Sequence, residues 1–469
     1  MIEFILNDRT ITTSEPTGMT LLDFVRYHKH LTGTKIGCRE GDCGACTILI
    51  GELVNDQMTY KTMTSCVTPL GNAAGKHIVT IEGLNMKDLS PVQQTMLDAG
   101  ATQCGFCTAG FVVSLTGYCM TSTSPTLEEA ISAVDGNICR CTGYKSIERA
   151  MAHLVEGLKV APAHLRLKWL ANNDYLPQYF ATIKERLSSV NKTIASNGQP
   201  PKNVMVGGGT DLYVQRPEEL EEVSVDLVYD RPELKGITLE NGICTIGAST
   251  TVTDLLASKE MNEQIPNLYS YLKLVSSTPI RNMGTVAGNL VNASPIGDLT
   301  IFFLALNTTI TLKKENGKTR SIALKDFYKG YKTLDKQEGE YIEKIKFNEV
   351  EGKPLFNFEK VSKRTYLDIA SVNSAVQMKL EGDVISTIHA SAGGVGPVPT
   401  YLKATCEFLT GKTLTVDNVI EAIEVMQNEV SPISDARGTA SYKKLLLRQL
   451  FFAHFITLFP EQFEMEVLA

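Results

Sequence analysis

The chain lacks both a basic surplus and any long apolar run. Its 469 residues include 45 Lys and Arg against 52 Asp and Glu, which gives a formal net charge of -7. A nucleic-acid-binding protein normally carries a basic stripe, so this balance argues against that class. The longest apolar stretches, such as 301–306, fall far short of the roughly 20 residues that cross a bilayer. We therefore expect neither a nucleic-acid nor a membrane partner.

An export signal is also missing from the printed sequence. Glu3 and Asp8 stand where a secretory peptide would carry basic residues and then an apolar stretch. We therefore expect a cytoplasmic protein, where disulfides are rare and cysteines more often serve metal or redox chemistry. Nine of the 11 cysteines fall before residue 142, so this chemistry is predicted in the first third of the chain.

Length and pattern predict several domains with different architectures. A chain of this length is too long for one ordinary core, and its hydrophobic fraction of 43% is typical of globular proteins. Alternation in 2–6, a helix capped by Thr20 and a strand at 47–50 predict a small β-rich unit first. Ser90 and Thr126 then begin two capping-box patterns, and further helices are predicted at 111–120 and 146–158.

The rest of the chain is predicted to alternate strands and helices. A connector over about 160–200 ends in the turn-rich stretch 196–201. Asn241-Gly242 indicates a hairpin between strands at 236–239 and 243–247. From about 353 a strand-rich stretch gives way to helices, which predicts a smaller α+β domain at the end.

The first group of cysteines has the spacing of a plant-type ferredoxin. Cys38, Cys43 and Cys46 form a C-x4-C-x2-C loop, and Cys66 follows after nineteen intervening residues. A [2Fe–2S] cluster concentrates negative charge, so the glycines of this loop are expected to let backbone N–H groups point inward. A structural zinc site is the alternative, but zinc sites usually combine two short C-x2–4-C pairs.

The second group joins a C-x2-C pair to a C-x-C pair. Cys104 and Cys107 are predicted at the start of a helix, with both thiolates on one side near its positive end. Cys139 and Cys141 cannot share a helix face, so 137–143 is predicted to be a loop. The spacing by itself suits zinc almost as well as iron. Cys119, Cys244 and Cys406 follow no pattern and are interpreted as buried small hydrophobic residues.

Two glycine-containing segments are candidates for phosphate binding. Gly207-Gly208-Gly209 follows an apolar strand, but it lacks the spacing of a dinucleotide fold, and a plain tight turn explains it equally well. The second candidate is 284–289, and together the two loops could offer N–H donors to a pyrophosphate from both sides. Asp298 could accept a hydrogen bond from a ribose or ring donor, or it could simply cap a helix.

The order of these segments resembles the xanthine dehydrogenase family of molybdenum hydroxylases, and more narrowly the small subunit of its split bacterial form. The similar segments are LTGTKIGCREGDCGACTILI, QCGFCTAGF, DGNICRCTGYKSI, VGGGTDL and IRNMGTVAGNLVNASPIGDL. The resemblance implies an α+β multidomain chain. Its expected parts are a β-grasp [2Fe–2S] ferredoxin domain at 1–82, a four-helix [2Fe–2S] domain at 83–160, a linker at 161–195, a two-subdomain PCMH-like FAD-binding domain at 196–350 and a C-terminal α+β flavoprotein domain at 351–469.

The resemblance also implies roles for individual residues. It assigns Cys104, Cys107, Cys139 and Cys141 to a second [2Fe–2S] cluster and brings Gln103 to the molybdopterin of a partner. The two FAD diphosphate loops correspond to Met205, Val206, Gly207, Gly208, Gly209, Thr210, Asp211 and Leu212, and to Thr285, Val286, Ala287, Gly288 and Asn289. Asp298, Ile342 and Lys360 correspond to flavin-contacting positions.

The chain departs from the family in three places. Val275 stands where relatives with a flavin-stacking aromatic residue have Phe, so the packing over the flavin ring is expected to differ. Ala109 replaces the usual Pro of the QCGFCTPG motif. Residues 362–368 correspond only loosely to a loop near the flavin that affects the choice of electron acceptor.

The resemblance implies an electron-transfer subunit with no substrate-converting residues of its own. A molybdopterin-binding large subunit, in an α2β2 assembly, would oxidise hypoxanthine and xanthine to urate. Electrons would pass through the cluster at Cys104, then the cluster at Cys38, to FAD and on to NAD. The alternatives are the same role in a hydroxylase for another heterocycle or an aldehyde, a stand-alone NADH-linked iron–sulfur flavoprotein, and a structural zinc protein.

Overall fold

The computed structural model describes residues 1–162, 166–192, 204–350, 352 and 355–464. The chain divides into two compact units. The first contains Met1–Tyr229 and Ser277–Gly284, and the second contains Asp230–Ser276 and the described residues from Thr285 onward. This division runs through the segment predicted as one FAD-binding domain, so the predicted domain boundaries stay a prediction.

The first unit begins with a mixed five-stranded sheet. In spatial order its strands are Arg9–Thr13, Ile2–Leu6, His77–Val79, Thr47–Val54 and Gln57–Thr64. The two central strands Ile2–Leu6 and His77–Val79 run parallel, and the other neighbours are antiparallel. The Thr20 side chain caps the short helix Leu21–Asp23, as predicted, and a π-helical turn Phe24–His28 continues it. Short 3-10 turns follow at Ser65–Val67, Leu70–Ala73 and Ile81–Leu84.

Four helices follow the sheet, in agreement with the pattern of caps in the sequence. They are Pro91–Asp98, Thr108–Thr121, Leu127–Ala133 and Lys145–Leu158. Ser90 makes both hydrogen bonds of a capping box with Gln93, and Thr126 accepts from the Glu129 N–H. Helix Thr108–Thr121 is buried along most of its length, whereas Lys145–Leu158 buries one face. Helix Thr108–Thr121 therefore forms the centre of this region.

The segment predicted as a connector contains structure of its own. It forms helices Arg166–Asn172 and Ile183–Ser188 and a 3-10 turn at Gln178–Thr182. Leu170, Leu176 and Phe180 are buried in the core of the helical region. The turn-rich stretch predicted at 196–201 lies outside the described residues.

The first unit ends with a small parallel strand pair, Val204–Val206 and Val225–Leu227. Its helices are Leu212–Gln215, Pro217–Glu222 and Thr278–Arg281. Val206, Tyr213 and Met283 share one hydrophobic core with the N-terminal sheet.

The second unit begins with an antiparallel five-stranded sheet. In spatial order its strands are Thr319–Ala323, Thr309–Lys314, Glu340–Asn348, Ile243–Gly247 and Ile237–Glu240. The hairpin predicted at Asn241-Gly242 is confirmed, and both residues have the positive φ that such a tight turn requires. A two-stranded ribbon joins Tyr328–Gly330 to Thr333–Leu334, and a 3-10 turn lies at Pro232–Leu234. The helices of this part are Val252–Ala257, Lys259–Gln264, Leu268–Lys273, Val286–Asn292, Asp298–Ala305 and Leu324–Phe327.

A four-stranded antiparallel sheet and three helices complete the second unit, as predicted for an α+β end of the chain. The strands, in spatial order, are Leu355–Val361, Val372–Glu381, Val384–Gly393 and Thr400–Tyr401. The helices are Lys403–Leu409, Val416–Glu429 and Ala440–Leu458. Their apolar side chains share one core with the sheet. Across the described ranges, no helix combines the length and the apolarity that crossing a bilayer would need.

Candidate redox cofactor sites

The first group of cysteines comes together beside the N-terminal sheet as two pairs of thiols. The Cys38 thiol lies beside that of Cys43, and the Cys46 thiol lies beside that of Cys66. Cys46 and Cys66 are only 2% and 3% exposed. In a [2Fe–2S] cluster with four cysteines each iron takes two thiolates, so two adjacent pairs provide the donor set that this cluster needs.

Backbone N–H groups of the loop point at the sulfur atoms. The N–H groups of Glu40 and Cys43 lie 3.3 and 3.4 Å from Cys38 Sγ, and the Cys38 N–H lies 3.4 Å from Cys43 Sγ. The hydrogen bond from the Cys43 thiol and these backbone donors lower the pKa of Cys38 to about 5. A thiolate is the form that binds iron, so the backbone donors favour the ligating state of Cys38, whereas the contact with Cys38 raises the pKa of the Cys43 thiol.

Two glycines allow the loop to wrap this closely. A Cβ on Gly37 would lie 2.4 Å from Cys43 Sγ, which is inside van der Waals contact. Gly44 has φ +68°, and its Cβ would lie 2.3 Å from the backbone oxygen of Gly136. The residues present therefore fit a cluster at this position. A larger side chain at Gly37 would displace Cys43, and one at Gly44 would displace the backbone at Gly136.

The second group of cysteines also forms two pairs. Cys104 Sγ lies 3.5 Å from Cys141 Sγ, and Cys107 is hydrogen-bonded to Cys139. Within the described ranges, no three or more Cys, His, Asp or Glu side chains gather as ligands of a single metal ion. In a [2Fe–2S] cluster with four cysteines each iron takes two thiolates, so the two pairs of the second group also fit such a cluster.

The helix predicted to carry Cys104 and Cys107 begins later than expected. It starts at Thr108 with Cys107 as its N-cap residue, so Cys104 lies in the turn before it. The predicted helix start at Cys104 is therefore wrong, and the two thiols pair with Cys141 and Cys139 respectively. The loop predicted at 137–143 is confirmed.

The second group lies closer to solvent than the first. Cys104 and Cys141 are exposed, and exposed Gln103, Phe106 and Tyr144 adjoin them in sequence. On the inner side, the Tyr144 hydroxyl accepts from the Cys139 N–H at 3.1 Å. Cys104 and Cys141 thus face outward, whereas Cys139 is buried.

A backbone hydrogen bond connects the two groups of cysteines. The Ile138 N–H donates to the carbonyl oxygen of Cys43 at 3.0 Å, and Ile138 is bonded directly to Cys139. Asn137 strengthens this junction by donating to the Gly44 carbonyl at 3.1 Å while it accepts from Ser114 Oγ at 2.8 Å. Sequence reasoning missed Asn137, although a polar residue two positions before a ligand in the DGNICRC stretch was a usable signal.

The first glycine loop leaves a row of backbone donors available. Among the described residues, the N–H groups of Gly207, Gly208, Gly209 and Thr210 donate to no protein acceptor. Gly209 has φ +81°, and a Cβ on Gly208 would lie 1.9 Å from the Met283 carbonyl oxygen. Successive free N–H groups around a left-handed glycine form an anion-binding concavity, so this loop fits a phosphate group.

The second glycine loop differs from the prediction. Thr285 caps helix Val286–Asn292 and accepts from the Gly288 N–H. The N–H groups of Val286, Ala287 and Asn289 donate to the carbonyl oxygens of Thr250, Ala248 and Thr285. The donors that were expected to face a pyrophosphate are thus engaged within the protein. Thr285 to Asn289 therefore stay predicted contacts by resemblance alone.

Asp298 forms a buried ion pair instead of a helix cap. Gly297 is the N-cap of helix Asp298–Ala305, and Asp298 Oδ2 lies 2.7 Å from Lys360 Nζ. Lys360 Nζ also donates to the Leu274 carbonyl at 2.7 Å. Two residues assigned separately by resemblance are therefore in direct contact. Ile342 and Val275 are both buried in the same unit.

The loop 362–368 is held by an internal ion pair. The Arg364 guanidinium and backbone N–H both bind the carboxylate of Asp368. Although burial of Asp368 acts to raise the pKa of its carboxyl, the hydrogen bond and charge of Arg364 hold that pKa below its usual value. Lys273 Nζ lies 5.4 Å from the ring centroid of Tyr366, a cation–π contact that ties the loop to helix Leu268–Lys273.

Four family models match the chain in succession. They are the "2Fe-2S iron-sulfur cluster binding domain" at residues 4–71, the "[2Fe-2S] binding domain" at 80–152, the "FAD binding domain in molybdopterin dehydrogenase" at 181–347 and the "CO dehydrogenase flavoprotein C-terminal domain" at 358–458. The predicted α+β multidomain class, with two iron–sulfur domains and a flavin domain, is confirmed. The eight cysteines lie within the first two matches.

Curated relatives match nearly the whole chain. It is 29% identical to the xanthine dehydrogenase of Blastobotrys adeninivorans, with 96% of this chain and 40% of the relative covered. It is 27% identical to xanthine dehydrogenase 1 of Arabidopsis thaliana, over 93% and 38%. Aldehyde oxidase 2 of Mus musculus is 25% identical, over 98% and 39%. The chain thus spans about two fifths of the length of the curated relatives it matches.

Solved structures share the architecture of about half of the chain. A Cu,Mo-CO dehydrogenase structure matches with a TM-score of 0.50 and 25% identity, covering 53% of this chain and 86% of that chain. Quinoline 2-oxidoreductase from Pseudomonas putida 86 matches with a TM-score of 0.50 and 20% identity, over 56% and 90%. The second likeness concerns the fold alone.

Proposed function

We propose that this chain is the iron–sulfur and flavin portion of a molybdenum hydroxylase, and more narrowly the electron-transfer part of a xanthine dehydrogenase. The observation that carries the proposal is the arrangement of the eight cysteines. One group has two exposed cysteines, the other has none, and hydrogen bonds from Ile138 to Cys43 and from Asn137 to Gly44 join the two. Such an arrangement suits the passage of single electrons from a surface donor inward.

The proposed entry point for electrons is the exposed edge at Cys104 and Cys141. Gln103 and Phe106 lie beside Cys104, and both are exposed. An aromatic side chain next to a polar amide is suited to a partner interface, because it buries apolar area while the amide keeps a hydrogen bond. We assign this edge to a molybdopterin-binding partner subunit, in an assembly with two copies of each subunit.

The proposed exit is through FAD to NAD. The free N–H groups of Gly207 to Thr210 would hold the diphosphate, with Met205, Val206, Asp211 and Leu212 alongside. Thr285, Val286, Ala287, Gly288, Asn289, Asp298, Ile342 and Lys360 are the other contacts assigned to FAD by resemblance. When bound, FAD supplies the exchange between single electrons and an electron pair.

The proposed overall reaction balances without a further reactant. Conversion of xanthine to urate at the partner adds one oxygen from water and releases two electrons and two protons. NAD+ accepts both electrons and one of those protons, and the second proton passes to solvent. Purine oxidation is proposed over aldehyde oxidation because the xanthine dehydrogenases are 29% and 27% identical to this chain and the aldehyde oxidase is 25% identical.

An anaerobic titration of the purified chain tests the cofactor part of this proposal. We expect a brown protein whose visible spectrum is bleached by NADH. The reduced protein should show two distinct [2Fe–2S] signals in electron paramagnetic resonance. A coloured protein that NADH leaves unchanged would contradict NAD as the acceptor. A colourless protein, produced with iron and flavin supplied, would overturn the cofactor assignment and would favour the alternative of a structural zinc protein.

A second experiment tests the substrate and the partner. Xanthine should leave the spectrum of the isolated chain unchanged and should bleach the complex with a molybdopterin-binding subunit. Bleaching of the complex by an aldehyde or by quinoline, but not by xanthine, would replace the purine assignment. Bleaching of the isolated chain by xanthine would overturn the need for a partner.

A further inference from the structure

A buried amide holds the other oxygen of the Asp298 carboxylate. Asn373, on strand Val372–Glu381, is 0% exposed. Its Nδ2 donates to Asp298 Oδ1 at 2.6 Å and to the Ile296 carbonyl oxygen at 3.2 Å. Both neighbours are acceptors, so the amide orientation follows from chemistry, because the reversed amide would place oxygen against oxygen.

The oxygen of the same amide has no partner. Among the described residues Asn373 Oδ1 is buried without a hydrogen bond, and it points at Gly393 on the neighbouring strand. A Cβ on Gly393 would lie 2.1 Å from this oxygen, so a glycine is what leaves room for the amide. A buried acceptor without a partner is destabilising, and an apolar side chain of the same shape would avoid that cost. What the amide provides is therefore its two donated hydrogen bonds, to the Asp298 carboxylate and to the Ile296 carbonyl oxygen.

The Asn373 amide and the Lys360 ammonium group together hold the Asp298 carboxylate. Its carboxylate is fixed at Oδ1 by Asn373 and at Oδ2 by Lys360 Nζ. The Lys360 side chain is 1% exposed, whereas the Asp298 side chain is 12% exposed. Asp298 is thus the most accessible of the three groups. Each of its oxygens accepts one of these hydrogen bonds and has a second lone pair, so the fixed carboxylate can receive a further donor.

We propose that Asn373 is a positioning residue for the flavin: it holds the Asp298 carboxylate, opposite Lys360, in the orientation that accepts a hydrogen bond from an N–H or O–H group of FAD. The proposal rests on the proposed function, because it takes FAD as the ligand. Asn373 makes no contact with the flavin itself in this proposal and acts through Asp298. Gly393 belongs to the same arrangement, since it provides the space that the amide occupies.

The Asn373→Leu variant separates this role from a structural one. Leucine has a similar shape and removes the unpartnered oxygen, but it also removes the donor to Asp298 and Ile296, so the free energy of unfolding should fall by about 1–3 kcal/mol, as it should in the matched control below. FAD affinity, measured by fluorescence titration of the deflavinated chain, should fall on the order of tenfold, the size expected for losing a hydrogen bond to a charged group. Asn357→Leu is the matched control, because Asn357 is a buried amide on the adjacent strand that contacts His454 and Glu359 instead of Asp298.

The Asn373→Asp variant gives a second and independent readout. Two carboxylates at this distance share a proton at low pH and repel each other once both are ionised. Lys360 is the cation that faces the pair, and it also acts on Asp368. FAD affinity of this variant should therefore fall as the pH rises from about 5 to about 8, whereas the affinity of the unchanged protein should vary far less over the same range.

The outcomes distinguish this inference from the proposed function. If the unchanged chain binds no FAD, the proposed function fails. If the unchanged chain binds FAD and both variants bind it with the same affinity and pH profile, the positioning role of Asn373 is overturned. If Asn373→Leu does not fold, the Asn373→Asp profile decides, and Gly393→Ala, which would push the amide away, should weaken FAD binding in the same direction.

Discussion

The two cysteine sites contain the same four ligands and differ in burial. At the first site Cys46 and Cys66 are within the core of the N-terminal sheet, and glycines fill the narrow space around them. At the second site Cys104 and Cys141 are exposed, and Gly105 and Gly143 have nothing near the position of a Cβ. The ligands of the first site include two core residues and none that is exposed, whereas the second site is anchored in the core by Cys139 and has an edge open to solvent at Cys104 and Cys141.

The largest expected effect separates the two sites by ligand removal. Cys66→Ser should eliminate the first cluster and also lower the stability of the first unit, because metal binding is coupled to folding where the ligands are core residues. Cys141→Ser should eliminate the second cluster and leave the free energy of unfolding nearly unchanged. Iron content should fall by half in both variants, and urea unfolding followed by the fluorescence of Trp169, the single tryptophan, checks the stability. Equal destabilisation by both variants would contradict the comparison.

The next largest effect concerns a buried ion pair. It joins Asp135, just before the loop of the second site, to Arg281 at the end of helix Thr278–Arg281. Asp135 and Arg281 are almost fully buried and lie 2.5 Å apart. Arg281→Met should cost about 3–5 kcal/mol of stability, because it leaves a buried carboxylate without its cation. In the exposed pair Lys145–Glu148, Lys145→Met should cost less than about 1 kcal/mol. If the two variants unfold at the same urea concentration, the junction between the sites is not stabilised by this pair.

Replacement of one glycine at each site by alanine compares how much space surrounds the backbone at the two sites. Gly44→Ala would add a Cβ 2.3 Å from the Gly136 oxygen at a φ of +68°, and it should cost about 2–3 kcal/mol. Gly105→Ala has a φ of +81° and open space, so only the backbone strain of about 1 kcal/mol applies. Urea unfolding and the iron-to-protein ratio measure both variants. A larger loss for Gly105→Ala would reverse the order of crowding.

The smallest effect concerns acid stability. Burial lowers the pKa of His77, in the sheet of the first site, to about 3, whereas an unfolded histidine titrates near 6.5. The unfolded state therefore binds the proton first, so the contribution of His77 to stability is complete above about pH 6.5 and is lost as the pH falls towards 3. His77→Gln should flatten the decline of the urea midpoint between pH 7 and pH 5. His153, exposed on the helix Lys145–Leu158 beside the second site, is the matched control, and an equal effect of His153→Gln would contradict the assignment.

Local structure followed from the sequence where neighbouring residues decide it. Ser90 and Thr126 cap their helices because the cap and its N–H partner are three residues apart, and Asn241-Gly242 turns the chain because both residues tolerate a positive φ. Errors occurred where a contact depends on distant segments. A helix start was predicted at Cys104, but the helix begins at Thr108, and Cys104 lies in the preceding turn, where it pairs with Cys141 from another loop.

The sequence by itself determined the two cysteine groups, the order of the domains and the caps and turns, because spacing along the chain sets which residues can share a loop or a helix end. Only the tertiary structure decided which thiols pair, which group reaches solvent and which glycine loop keeps its donors. It also decided that Asp298, Lys360 and Asn373 meet, although they lie 62 and 75 residues apart in sequence. Burial and hydrogen-bond partners depend on how distant segments pack, and spacing along one chain carries no record of that packing.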